Sequence, residues 1–111
     1  MAITIKTLNR DAIQNLTGYR PFTSFYEDFS MAELGGISGV KKTFEMALNE
    51  WKNDYKYLTE LVMVLNWKIW EHSESNEPMA EAYDSLWERA RDFCSSTLTG
   101  KELDYYYDKT D

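Results

Sequence analysis

A chain of 111 residues and 13.1 kDa is too short to divide into two self-sufficient cores, so one domain spanning residues 1 to 111 is expected. Its 43% hydrophobic and 15% aromatic content excludes a largely disordered chain. A formal net charge of -7 argues against a broad phosphate-binding surface, and a lone cysteine, Cys94, excludes an internal disulfide.

Residues 1 to 22 carry the weakest pattern. Ile3 and Ile5 alternate with polar residues too briefly for a strand, Asn9 can cap a short helix over Arg10 to Leu16, and Gly18 can end it. The opening MAITIKTLNRDAI lacks the basic and apolar regions of a secretory signal, so a cytoplasmic location is expected. The longest uninterrupted apolar run, Leu61 to Leu65, has five residues, against the roughly 20 that a bilayer requires.

Arg20-Pro21 reads as extended or turning chain. Ser24-x-x-Glu27 and Ser30-x-x-Glu33 each fit the capping box, predicting two short helical turns, the second ending at Gly35-Gly36. Ser38 is then positioned to cap a helix to about Lys52, with Val40, Phe44, Ala47, Leu48 and Trp51 on one face. Lys52-Asn53-Asp54 predicts a break, with Asp54 capping the next helix over residues 55 to 73.

That helix contains YKYLTELVMVLNWKIW, Tyr55 to Trp70, the most apolar stretch of the chain. At about 100° per residue Lys56, Glu60 and Glu71 share one narrow stripe, while Tyr57, Leu58, Leu61, Val62, Leu65 and Ile69 cover the rest. Such a helix belongs at the centre of a bundle or in an interface.

Ser75-Asn76-Glu77-Pro78 supplies a cap, an early acid and a first-turn proline for a helix over residues 77 to 96. Met79, Tyr83, Leu86, Ala90 and Phe93 form its inner face, flanked by Ala82, Trp87 and Cys94; Glu77, Glu81, Asp84, Glu88 and Asp92 form the outer one. Gly100 offers a stop, and Thr99-x-x-Glu102 can cap a final turn carrying Leu103, Tyr105, Tyr106 and Tyr107. The expected fold is all-α: a small bundle of three main helices with short flanking ones.

No catalytic constellation emerges. His72 has Glu71 and Glu74 nearby, but neighbouring helical residues point apart and no second His or Cys follows at ligand spacing. The simpler reading is a histidine interacting with the helix C-terminus. Gly35-Gly36-x-x-Gly39 lacks the lysine and preceding strand of a phosphate loop. No enzyme activity, cofactor or metal is therefore expected.

Three surfaces qualify for binding. Met63 and Trp67 fall beside the polar stripe of the central helix, whereas Trp51, Trp70 and Trp87 are assigned to apolar faces; this aromatic edge fits a protein partner or a homodimer. Residues 30 to 52 resemble a helix-turn-helix in which Ser38, Lys41, Lys42 and Glu45 would face the major groove. The leading positions lack Arg, Asn and Gln, which disfavours base reading, and a packing corner accounts for the same pattern. Glu77, Glu81, Asp84 and Glu88 recur about 6 Å apart, close to phosphate spacing, so an acidic DNA mimic is a third reading beside that of a solvated face.

The run DFSMAELGGISGVKKTFEMALNEWKNDYKYLTELVMVLNWKIWEH, with LWERARDF and GKELDYYYDKTD, resembles small uncharacterised acidic proteins encoded on conjugative transposons and related mobile elements of gut bacteria. The resemblance extends over residues 27 to 111. It implies a cytoplasmic accessory protein of such an element and assigns no site residue. A non-enzymatic protein-binding factor is thus the leading expectation, a homo-oligomer acting through one aromatic and acidic surface of Met63, Trp67, Glu77, Glu81, Asp84 and Glu88, ahead of a DNA-binding regulator and an acidic mimic.

Overall fold

The computed structural model describes residues 21–110, which are almost entirely helical and contain no strand. The order is α1 (Pro21–Ala32), a 3-10 turn (Glu33–Gly35), α2 (Gly36–Trp51), α3 (Tyr55–His72), α4 (Glu77–Thr97) and α5 (Gly100–Thr110). The all-α class holds. The elements expected around Ile3, Ile5, Asn9 and Gly18 lie outside the described residues.

Two boundaries follow directly from side-chain caps. Asp54 is extended (φ -119°, ψ 101°), and its Oδ1 accepts hydrogen bonds from the Lys56 and Tyr57 amides, both at 3.1 Å. Trp51 stacks on Tyr57 across this corner, with ring centroids 3.8 Å apart, so the chain breaks here and doubles back. Asn76 caps α4 by accepting from the Met79 amide at 3.2 Å, with Pro78 in the first turn.

Elsewhere the caps predict the wrong boundary. Ser24 and Ser30 lie within α1, which runs as one helix through both predicted turns because Phe25 and Phe29, one turn apart, are fully buried and hold it on the core. Ser38 is not a cap either: α2 starts at Gly36, and Ser38 occupies its first turn. The final turn expected after Thr99 is an 11-residue helix, α5, sustained by burial of Tyr106.

Central placement of α3 explains its composition, for it packs against each of the other four helices. Tyr57, Leu58, Leu61, Val62, Val64 and Leu65 are buried among Phe25 and Phe29 of α1, Val40 and Phe44 of α2, and Tyr83, Leu86 and Cys94 of α4. One edge stays open, carrying Lys56, Asn66, Trp67 and Trp70, with Glu60 and Met63 half-covered. Trp70 is 78% exposed, which corrects its assignment to an apolar face: it lies one turn beyond Trp67 and follows it onto the open edge. Among the described residues no helix is long and apolar enough to cross a membrane.

Glycine sets the corner between α1 and α2. Gly36 adopts φ 71°, and a Cβ on Gly39 would lie 2.5 Å from the Ala32 carbonyl oxygen. The backbone atom cannot swing aside, so the two helices must separate to admit a methyl group. Gly39→Ala is expected to cost about 1–3 kcal/mol by thermal or urea unfolding; unchanged stability would show that the corner tolerates the displacement.

Candidate functional site

Two groups of side chains stand out, one polar and one aromatic, and both are organised by the second half of α3. The polar group centres on Lys68, whose side chain is only 1% exposed. Its ammonium donates to Ser30 Oγ at 2.8 Å and Glu71 Oε2 at 2.8 Å, and lies 2.9 Å from Glu33 Oε2. The Tyr26 ring covers it at 4.2 Å. An ammonium has three N–H donors, and each has an acceptor here.

The acceptors are anchored in turn. Tyr83 of α4 donates to Glu33 Oε2 at 2.6 Å, and Tyr26 of α1 donates to Glu71 Oε1. His72 lies parallel to the Tyr83 ring, with centroids 5.8 Å apart; its buried Nε2 is 3.1 Å from Glu33 Oε2 but lacks hydrogen-bond alignment. The contact is electrostatic. α1, the 3-10 turn, α3 and α4 thus meet at one charged centre.

Burial pushes the Glu33 carboxyl pKa upward, but Tyr83, Lys68 and His72 outweigh it and hold the group below its ordinary value. Glu71 shows the same balance: burial raises it, while Lys68 and Tyr26 bring it down further. The Tyr83 hydroxyl is driven well up, first by burial and then by its bond to Glu33.

Glu33, Glu71 and His72 offer ligand atoms within 4.8 Å of one another. Lys68 Nζ occupies the position between the two carboxylates, so the protein's own cation fills the place an ion would take. Although neighbouring helical residues are expected to point apart, Glu71 and His72 converge to 3.5 Å because Lys68 and Glu33 gather them, and the second acid of the group is Glu33 rather than Glu74.

The aromatic group forms an open groove of about 720 Å³ where α3, α4 and α5 meet. Trp67, Trp70, Trp87, Tyr106, Tyr107 and Phe22 supply its rings, and Arg91 and Lys109 its charges. Trp67 is 56% exposed at the rim. The Arg91 guanidinium lies 4.5 Å from the Trp87 ring centre. A smaller hollow of about 400 Å³ lies between α1 and α2, beside the exposed Met31 and Met46.

Of the candidate residues, Met63 and Trp67 line the groove. Glu77, Glu81, Asp84 and Glu88 are exposed on α4 but do not line it, so the expected aromatic and acidic surfaces are separate. Ser38, Lys41, Lys42 and Glu45 are exposed on α2, with Glu45 ion-paired to Arg89. Sequence reasoning passed over Lys68, Glu33, Tyr83 and Arg91. A signal for Lys68 existed: Leu61, Leu65, Lys68 and His72 share one helical face, where a lysine among apolar neighbours needs a counter-charge. No family model, curated protein or solved structure matches this chain.

The depressed carboxyl values of Glu33 and Glu71 set the sign of a pH effect. Their contribution is complete above the unfolded carboxylate pKa of about 4.3 and is lost as pH falls through the lower folded values. Urea unfolding across this range should show stability falling with acid. Lys68→Ala should be less stable near neutrality by about 3 kcal/mol and should flatten the acid dependence; an equally steep profile would mean that Lys68 does not hold these carboxylates ionised.

Proposed function

We propose that the protein is a non-enzymatic binding factor whose aromatic groove, edged by Met63, Trp67 and Trp70, docks a protein partner. The carrying observation is the exposure of two tryptophans side by side on a groove whose lining also includes Trp87, Tyr106, Tyr107 and Arg91. Those residue types supply most hot spots in protein interfaces. A cost accompanies leaving two indoles in water, and an interface that covers them recovers about 25 cal/mol for each Å² of apolar surface removed.

The full engagement of the Lys68 ammonium supports a structural role for the lysine and the carboxylates around it. Every donor of the ammonium is engaged, which leaves none to meet a substrate. The resemblance of residues 27 to 111 to mobile-element proteins supplies the context, an accessory factor of such an element. Two further readings rest on exposed charge: DNA contact through Ser38, Lys41 and Lys42, and DNA mimicry through Glu77, Glu81, Asp84 and Glu88.

Affinity capture from the native host separates them. Trp67→Ala combined with Trp70→Ala should weaken capture of the partner roughly thirtyfold, the equivalent of about 2 kcal/mol, with helicity and melting retained. Lys41→Ala with Lys42→Ala, and the triple Glu81, Asp84 and Glu88 reversal to Lys, should capture it normally. Loss of the partner in either charge variant, with the tryptophan variant intact, would move the function to α2 or α4.

A further inference from the structure

We infer that the groove takes an acidic, aromatic-bearing segment of its partner, with carboxylates meeting Arg91 and Lys109 while a ring or long apolar side chain lies against the indoles. This rests on the docking reading above and adds the chemistry of the partner. Charge distribution carries it. The chain has 19 Asp and Glu against 12 Lys and Arg, yet among the described residues the groove is lined by two cations and no carboxylate. It is a positive island in an acidic molecule.

Neither cation is neutralised among the described residues, in contrast to Arg89, which Glu45 holds, and Lys68, which two glutamates hold. Both are placed by rings: Arg91 lies over Trp87 and against the Tyr106 hydroxyl, and Lys109 lies 5.7 Å from the Tyr105 ring centre. Both cations are exposed, so they stay accessible to a carboxylate that enters the groove. The planar guanidinium of Arg91 can match a carboxylate with two parallel hydrogen bonds, and its place over Trp87 holds it at the groove.

Three other occupants fit less well. A small molecule requires enclosure of most of its surface, and this groove is open, with Trp70 standing in water. A single-stranded nucleic acid would bring stacking bases, but its backbone needs a track of positive charge, and beyond Arg91 and Lys109 it would meet a molecule of net charge -7. A second copy brings the same net charge and the same repulsion. An acidic segment confined to the groove meets Arg91 and Lys109 and, among the described residues that line it, no carboxylate.

Peptide display against the immobilised wild-type protein tests this. Enriched sequences should place Asp or Glu next to Trp, Phe or Leu, and a synthetic peptide of that consensus should bind less tightly as salt is raised. Arg91→Glu and Lys109→Glu, made separately because either can disturb a neighbouring tyrosine, should each weaken it about tenfold. Enrichment of basic or uncharged peptides, equal binding by both charge reversals, displacement by oligothymidylate, or no enrichment at all would overturn the inference. If apolar peptides without acids bind and are lost only with the Trp67→Ala, Trp70→Ala variant, docking stands and the acidic partner falls. Peptides that bind the tryptophan variant equally well would remove both.

Discussion

The ammonium of Lys68 is the constraint around which the rest of the molecule is arranged. A lysine at the centre of a helical protein is costly to desolvate, and the cost is offset only where each N–H and each facing carboxylate finds a partner. Here Ser30 comes from α1, Glu33 from the 3-10 turn and Glu71 from α3, while Tyr83 of α4 fixes Glu33. Four elements must therefore be in register before the charge is satisfied. Against a total stability of about 5–15 kcal/mol, the roughly 3–5 kcal/mol lost when one member of such a buried pair is removed is large. An apolar residue of similar volume could match its net stability, so the contribution that sets this cluster apart is orientation: hydrophobic contacts alone would let α1 rotate, whereas fixed charges define one arrangement.

From that arrangement the two edges of α3 acquire different roles. The face bearing Leu61, Leu65, Lys68 and His72 closes the polar cluster, and the edge bearing Met63, Trp67 and Trp70 opens onto the groove. α1 connects them, since Tyr26 and Ser30 engage the cluster while Phe22, one turn before Tyr26, reaches the groove. Cys94 does not participate, because burial pushes its thiol up to about 12 and leaves it inert at neutral pH.

Periodicity revealed the long elements because burial of one face imposes it. Asp54 and Asn76 were legible as caps because nothing else competed for those positions. Ser24 and Ser30 misled for the opposite reason: a local capping preference worth about 1 kcal/mol yields to the burial of Phe25 and Phe29, each worth about 1.5–3 kcal/mol. The glycine spacing at 35, 36 and 39 was visible, but the close approach of Gly39 to Ala32 was not, since it depends on how two helices cross. Met63 and Trp67 could be placed on the groove edge from the stripe they share. Arg91 and Lys109 could not, because they come from helices whose relative rotation depends on the packed core.

The division between a structural charged face and a binding aromatic edge makes one measurement decisive. A photo-crosslinking amino acid placed in turn at positions 38, 66 and 84, in the native host, reports which surface touches another macromolecule, position 66 being exposed on the groove and leaving both tryptophans in place. A discrete protein adduct from position 66 alone is the predicted result. Adducts from position 38 to DNA or from position 84 to a protein, with none from position 66, would contradict it.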